Sequence, residues 1–212
     1  MMELLLALDF ITLPDAKRLL HRVIDCINIV EIGTPFIVQD GVHAVREIRN
    51  EFPNIKIFAD IKIMDAGSEE TEMAIKAGAD IVSVLGAADD ATIKGAVTTA
   101  HKYGKKILVD MIACSDIACR ATHIDTIGVD YICVHTAFDI QNTGINPLKE
   151  LIIVNGVVKN AQTAVAGGVN IATLPEIIQA HPAIIIVGGA ITTAADKYFA
   201  AKQMYDLVHK NE

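Results

Sequence analysis

Two stretches decide the fold: AGADIVSVLG at residues 77–86 and IGVDYICVHT at residues 127–136. Each places a Gly, which can end a helix in the left-handed conformation, just before a run of apolar and β-branched residues typical of a buried strand. A helix end followed at once by a buried strand predicts a β/α unit of a parallel sheet. Because the design recurs, the sequence indicates a repeating β/α architecture.

Continuing outward from these stretches gives eight such apolar runs, separated by segments with room for one helix each. The runs are 3–9, 27–34, 56–63, 79–86, 105–112, 129–136, 161–169 and 183–191. Pro14 and Pro175 fit the first turn of a helix, and Ser68, followed by two glutamates, predicts a helix cap. We therefore predict an α/β fold in which residues 1–212 form a single (β/α)8 TIM barrel, a fold that begins at about 200 residues.

An open, doubly wound sheet is the alternative arrangement of repeated β/α units. That fold usually carries a Gly-rich first turn with the pattern G-x-G-x-x-G. The first turn here, residues 9–12, lacks this pattern. Its absence favours the closed barrel.

The composition limits the partners of the chain. Its formal net charge is −8, so nucleic acids and anionic membrane surfaces, which attract basic proteins, are not expected partners. No apolar run reaches the ~18 residues needed to span a bilayer, and residues 1–10 lack the basic segment of a signal peptide. The four cysteines form no C-x-x-C pair, which predicts reduced thiols in a cytoplasmic protein.

Polar residues collect at the carboxyl ends of the predicted strands, where TIM barrels carry their active sites. We expect no comparable cluster at the opposite ends. The residues in question are Asp9, Glu31, Asp60, Lys62, His135 and the pairs Gly167-Gly168 and Gly188-Gly189, with Asp65 in the loop after the third strand.

Asp60 and Lys62 are two residues apart, so both are expected on the face of the strand that points into the barrel. A carboxylate beside an ammonium favours the charged form of each, and Lys62 then stabilises an oxyanion. A structural ion pair is the alternative. Glu31 comes from the neighbouring strand, and two close carboxylates predict a Mg²⁺ ion between them, unless Lys62 alone balances both charges.

Gly pairs at the ends of the seventh and eighth strands let backbone amides approach a phosphate, which barrels often bind there. Tight strand–helix turns are the alternative reading of these pairs. His135 at the sixth strand end is a candidate for proton transfer at neutral pH, with a structural role as the alternative. The remaining histidines are expected on the surface: His21, His43, His101, His123, His181 and His209.

Several motifs resemble the orotidine 5′-monophosphate decarboxylase suprafamily. The most specific is Asp60-x-Lys62-x-x-Asp65, and the resemblance extends over nearly the whole chain. The other matching strings are LALD (6–9), VEIGT (30–34), ADIKIMDAG (59–67), VLGAADDATIKGAV (84–97), KKILVDMI (105–112), GVDYICVHTAFD (128–139) and VAGGV (165–169).

The resemblance implies a role for each candidate residue. Glu31 and Asp60 would ligate Mg²⁺, and Lys62 would stabilise an enediolate. Asp65 would complete the active site of a partner subunit, which makes the enzyme a homodimer. The remaining implied roles are substrate contact for Asp9, proton transfer for His135 and phosphate binding through the amides of Gly168 and Gly189.

The resemblance also implies an activity. It is closest to the branch that condenses formaldehyde with D-ribulose 5-phosphate, giving D-arabino-hex-3-ulose 6-phosphate in a ribulose monophosphate pathway. The alternative is the branch that decarboxylates 3-keto-L-gulonate 6-phosphate through the same enediolate. That branch carries an Arg shortly after the strand-six His and another after the position of Gly188, whereas this chain has residues 136–139 (TAFD) and Gly189 there.

Two further hypotheses make other demands on the sequence. A ribulose 5-phosphate epimerase needs several metal-binding histidines at strand ends, and here only His135 is at one. A non-catalytic sugar-phosphate sensor has no need for the charged set Glu31, Asp60, Lys62 and Asp65. Both hypotheses are therefore less consistent with the sequence than an enzyme that forms an enediolate.

Overall fold

The fold is a closed barrel of eight parallel strands in a computed structural model, which describes residues 2–143 and 146–210. The predicted (β/α)8 TIM barrel is confirmed, and each observed strand lies inside its predicted run. Each strand pairs with its neighbours in sequence, and the first strand closes the ring against the last. The strands are β1 (Glu3–Leu8), β2 (Ile29–Ile32), β3 (Lys56–Ile63), β4 (Ile81–Leu85), β5 (Lys106–Asp110), β6 (Tyr131–His135), β7 (Gln162–Ala166) and β8 (Ile184–Val187).

Helices follow every strand and cover the outside of the barrel. Those between β1 and β6 are α1 (Leu13–Val23), α2 (Thr34–Asp40), α3 (His43–Glu51), α4 (Gly67–Ala77), α5 (Asp90–Lys102) and α6 (Ile117–Asp125). Those after β6 are α7 (Leu148–Val157), α8 (Leu174–Gln179), α9 (Gly189–Thr192) and α10 (Lys197–Val208). Short 3₁₀ helices cover Ile24–Cys26 and Phe138–Thr143. No helix in the described ranges is long and apolar enough to cross a membrane.

Three local predictions were wrong. Two helices, α2 and α3, follow β2 instead of one, because Gly41 ends α2 at a φ of 63°. Residues 189–191 are helical, since the last strand ends at Val187 and Gly188 is the N-cap of α9. Ser68 is not a helix cap but lies in the first turn of α4, where its hydroxyl packs close to Gly95 of α5.

The barrel wall separates two apolar layers. Side chains at alternate positions of each strand point inward and fill the barrel, as expected for parallel strands. The inward set includes Leu5, Ile29, Phe58, Leu108 and Ile184. The outward set packs against the helices in a larger buried core. This alternation also determines which side chain points inward at the carboxyl end of each strand, where the candidate site residues lie.

We call the carboxyl ends of the strands the mouth of the barrel and the opposite ends the base. The base carries its own ordered set of polar residues, contrary to our expectation. Asp80 accepts hydrogen bonds from the backbone N–H of Ile57 at 2.9 Å and from Lys105 at 2.6 Å, and it also pairs with Arg49. Asp130 likewise accepts from the N–H of Ile107 at 2.9 Å. The Asp of each Gly-x-Asp turn thus ties the start of its own strand to the preceding strand.

Candidate active site

A cavity of about 1220 Å³ opens at the mouth. It is lined by inward side chains from the ends of all strands except β4, together with the loops that follow β1, β6, β7 and β8. Asp9, Glu31, Asp60, Lys62 and His135 all line it. The structure therefore brings these five predicted residues together.

An irregularity in β3 aims Asp60 and Lys62 into this cavity. Between Ala59 and Ile63 the register shifts, so that this stretch lies opposite only Val82 to Val84 of β4. Lys62 has a φ of 51°, and its backbone N–H donates to the buried Ser83 hydroxyl at 2.8 Å. We predicted that both side chains point inward from simple alternation. They do, but through a bulge, a feature that often re-aims side chains next to active sites.

Lys62 lies between two carboxylates. Its Nζ is 3.0 Å from Asp60 Oδ2 and makes a short hydrogen bond to Asp110 Oδ2. Burial opposes the charge on Lys62, but Asp60 and Asp110 outweigh that effect and hold its pKa above the ordinary value. Lys62 is therefore held as a positive charge inside the cavity.

Asp110 is a site residue that the sequence reasoning missed. It is almost fully buried at the end of β5, where its Oδ2 lies 2.9 Å from His135 Nδ1 and also contacts Lys62. Burial raises the pKa of Asp110, but His135 and Lys62 outweigh burial and lower it to about 2. The signal in the sequence was that Asp110 interrupts the fifth apolar run two residues before its end, much as Asp9 lies at the end of the first run.

Glu31 is the least satisfied charged group of the site. Its side chain is buried, and its Oε2 has no hydrogen-bond partner among the residues that the structure describes. Burial, followed by repulsion from Asp60 and Asp9, raises the pKa of Glu31 well above its ordinary value. The pKa of Asp9 is raised for the same two kinds of reason, burial and the charge of Asp60. A buried carboxylate without a partner is costly unless a ligand satisfies it.

Two small neighbours hold the acidic residues in place. The Thr34 hydroxyl lies 3.0 Å from Asp60 Oδ2 and donates to the Asp60 carbonyl at 2.7 Å. A Cβ atom at Gly33 would lie 2.1 Å from Asp9 Oδ1, so only glycine leaves room for the Asp9 carboxylate there. The stretch VEIGT at 30–34 thus contributes one acidic group of its own, Glu31. It also contributes the space at Gly33 for Asp9 and the Thr34 hydroxyl that positions Asp60.

The donor set fits a hard divalent cation. Among the described residues there is no group of three or more His, Cys, Asp or Glu side chains arranged to hold a metal. Mg²⁺ does not require one, because it commonly takes one or two carboxylates and fills its remaining positions with water and substrate. The unpaired Glu31 oxygen next to Asp60 matches that need.

The loops after β7 and β8 form one edge of the cavity, which we call the phosphate edge because the sequence predicted phosphate binding there. Gly167 and Gly168 have φ values of 90° and 72°, and a Cβ at Gly167 would lie 2.2 Å from the Thr136 carbonyl oxygen. Gly189 begins α9, and no atom of the described residues counted as a neighbour lies within 4 Å of the position a Cβ would take. These loops therefore expose bare backbone to the cavity at the place where the sequence predicted it.

Asp65 stands apart from the other candidates. It is exposed in the loop after β3, does not line the cavity, and its Oδ1 accepts the backbone N–H of Ala66 at 2.7 Å. Of the histidines expected on the surface, His209 is an exception. It is half-buried against the Tyr205 ring, with centroids 4.0 Å apart.

Comparison with known proteins identifies the family to which this chain belongs. Residues 2–204 match the model of the orotidine 5′-phosphate decarboxylase / HUMPS family. A 3-hexulose-6-phosphate synthase from Bacillus subtilis is 55% identical over 98% of this chain and 99% of its own length. The crystal structure of 3-hexulose-6-phosphate synthase from Salmonella typhimurium is 38% identical, superimposes with a TM-score of 0.97, and both chains are covered completely.

A second branch is more distant. KGPDC from Streptococcus mutans, a 3-keto-L-gulonate-6-phosphate decarboxylase, superimposes with a TM-score of 0.90 over 99% of this chain and 98% of its own. Its identity to this chain is 24%, so the likeness concerns the fold alone. The two synthases are the closer of these relatives.

Proposed function

This chain belongs to the orotidine 5′-phosphate decarboxylase / HUMPS family, and on that premise we propose that it condenses formaldehyde with D-ribulose 5-phosphate. The product is D-arabino-hex-3-ulose 6-phosphate, and the reaction passes through an enediolate. The chain is an enzyme, as its relatives named 3-hexulose-6-phosphate synthase are. The observation that carries the proposal is the series His135–Asp110–Lys62–Asp60, which lies beside the unpaired carboxylate of Glu31.

Proton transfer at C1 of the sugar is assigned to His135. Asp110 holds Nδ1 of the ring at 2.9 Å, and when Nδ1 carries the proton, Nε2 is left as a base. A carboxylate that orients a catalytic imidazole in this way also stabilises the imidazolium that forms. His135 Nε2 therefore takes the C1 proton, and Asp110 positions the ring without touching the substrate.

Lys62 stabilises the negative charge that develops on the sugar oxygens. Because Asp60 and Asp110 keep it ionised, no proton has to move before it acts. Preorganised charges of this kind are usually the largest contribution to catalysis. Asp9, at the end of β1 and with its pKa raised, is placed to accept a hydrogen bond from a sugar hydroxyl.

Glu31 and Asp60 would hold Mg²⁺. When bound, the ion supplies Lewis-acid stabilisation of charge on the substrate oxygens. The ion would also give Glu31 Oε2 the partner that it lacks.

Phosphate binding is assigned to the backbone amides of Gly168 and Gly189. Positive side chains that also line the cavity add to the local potential, namely Arg18, Arg22 and Lys197. They compensate for the Arg that the decarboxylase branch carries at the position of Gly189. The synthase is favoured over the decarboxylase because the Arg of the decarboxylase branch is absent at the position of Gly189 and because the synthases are the closer relatives.

We further propose a homodimer in which Asp65 of each subunit completes the site of its partner, with the enzyme in the cytoplasm, where its free thiols stay reduced. Asp60→Asn and Asp65→Ala chains, each inactive alone, are co-expressed. In a mixed dimer one site has both residues intact, so a random mixture regains about a quarter of wild-type activity. No recovery would mean that Asp65 acts within its own subunit, and an active Asp65→Ala chain would mean that Asp65 has no role in the site.

The purified protein is incubated with ribulose 5-phosphate, formaldehyde and Mg²⁺, with and without EDTA, while formaldehyde is followed. Chelator-sensitive consumption is the expected result. Release of CO₂ from 3-keto-L-gulonate 6-phosphate, with no loss of formaldehyde, would instead assign the chain to the decarboxylase branch.

A further inference from the structure

Two exposed aromatic rings meet at the mouth. Phe10, in the loop after β1, is 75% exposed, and Phe138, in the loop after β6, is 67% exposed. Their ring centroids are 5.4 Å apart with an interplanar angle of 56°, and both line the cavity. Tilted aromatic pairs at this separation attract each other, so the contact joins two loops that are not neighbours in the barrel.

Each ring is tied to a residue of the site. Phe10 directly follows Asp9, and Phe138 comes shortly after His135. The Phe138 loop is held by Gln141, whose side chain donates to the Thr136 carbonyl at 3.2 Å. Because β7 and β8 lie between β6 and β1 in the ring of strands, the pair bridges the rim on the side of the phosphate edge.

The proposed reaction gives such a pair a purpose. Water interferes with the proposed condensation in two ways. A proton from water returns the enediolate to ribulose 5-phosphate, and hydration converts formaldehyde to an unreactive diol. Excluding water from a closed site suppresses side reactions of this kind. An apolar cover also favours the free aldehyde over its hydrate.

We propose that Phe10 and Phe138 form an aromatic roof that closes over the bound sugar phosphate and sets the ratio between carbon–carbon bond formation and reprotonation at C1. Phe138 then determines the fate of the enediolate without taking part in its formation. This inference rests on the proposed function, since the ratio has meaning only if an enediolate forms.

The first test measures that ratio. In D₂O, deuterium incorporation at C1 of ribulose 5-phosphate is compared with formaldehyde consumption for wild type, Phe10→Ala, Phe138→Ala and Phe138→Leu. We expect deuterium per condensation to rise about tenfold in the alanine variants and less in Phe138→Leu. Phe199→Ala, which removes a ring of 63% exposure on α10 away from the cavity, is the control and leaves the ratio unchanged.

If the ratio is unchanged, the roof is overturned. This holds both when the variants slow the two processes equally and when gel filtration shows that they no longer form the proposed dimer. The second test does not depend on turnover. The chain has no Trp, so Phe138→Trp introduces a single tryptophan that can be excited selectively over the four tyrosines, with Phe199→Trp as its control. Bound ribulose 5-phosphate, verified by calorimetry, should protect Trp at 138 from acrylamide quenching and leave Trp at 199 accessible.

The two tests separate the proposals. Protection of Trp at 138 without formaldehyde consumption keeps the roof and overturns the proposed synthase activity. Equal quenching of Trp at 138 with and without bound ligand overturns the roof, while formaldehyde consumption by the wild type keeps the synthase.

Discussion

The two ends of the barrel use carboxylates in opposite ways. At the base, Asp80 accepts from a backbone N–H and from two cationic side chains. Burial alone would raise the pKa of Asp80, but these hydrogen bonds outweigh it and lower the pKa. At the mouth, Glu31 is buried with an unpaired oxygen, and its pKa is raised.

The difference shows where stability and function are separated. The base satisfies its carboxylates within the chain, so they stabilise the fold. The mouth leaves part of its negative charge without a partner, which costs stability in the free protein and is recovered only when a ligand binds. The predictions below test whether the two ends are independent in this sense.

Asp60→Asn should have the largest effect. It keeps the size of the side chain but removes the charge that faces Lys62, so kcat/KM for formaldehyde consumption should fall about 1000-fold. Thermal unfolding should shift little, because the mouth does not hold the barrel together. A large loss of melting temperature with only a modest loss of activity would reverse the contrast between the ends.

His135→Gln should slow deuterium exchange at C1 of ribulose 5-phosphate by about 100-fold, the usual contribution of a general base. NMR of the sugar in D₂O measures this exchange without formaldehyde. His123→Gln is the matched control, because that ring pairs with Asp90 outside the cavity. If exchange continues at the wild-type rate in His135→Gln, the base is another group of the mouth.

Asp80→Ala should give the complementary result at the base. It removes the partners of the Ile57 N–H, Lys105 and Arg49, so the free energy of unfolding should fall by about 2 kcal/mol. Activity per folded molecule should stay at the wild-type level. Urea unfolding followed by circular dichroism measures the first quantity, and a loss of turnover in the folded variant would show that the ends are coupled.

Glu31→Gln should change the stability of the metal-free protein by an amount that depends on pH. In EDTA the raised pKa of Glu31 means that ionisation costs more in the folded protein than in the unfolded chain, whose value is near 4.5. Wild-type stability should therefore fall as the pH rises from about 4.5 through the higher folded pKa, by about 1.4 kcal/mol for each pKa unit of the shift.

The Glu31→Gln variant should lose this slope, and Mg²⁺ should stabilise the wild type more than the variant. Thermal unfolding between pH 5 and 8, with EDTA or Mg²⁺, measures both. Identical pH profiles for the two proteins would mean that Glu31 is already satisfied in the free enzyme.

The fold was predictable because its determinants are local. Gly78 and Gly128 have φ values of 118° and 92°, the left-handed conformation that the turn pattern required, and the apolar runs contain every strand. The candidate residues at strand ends were predictable because parallel strands bring their carboxyl ends to one rim.

What could not be predicted depends on contacts between distant segments. Asp110 is meaningful only because β5 brings it between Lys62 and His135. The partners of Asp80 come from three separate segments, with Arg49 in α3, Ile57 in β3 and Lys105 just before β5, which sequence spacing does not reveal. The bulge at Lys62 depends on the Ser83 hydroxyl of the next strand. Each of these contacts joins segments that only the folded chain makes neighbours.

The pairing of β1 with β8 has a consequence for how the molecule is made. The first strand finds its second neighbour only after residues 184–187 have been synthesised, so the barrel closes late during translation. Contacts between such distant segments also slow folding, because a long loop must be ordered first. Since Asp9 belongs to the earliest strand end and Gly189 to the latest, a nascent chain has no complete site until its last strand is in place.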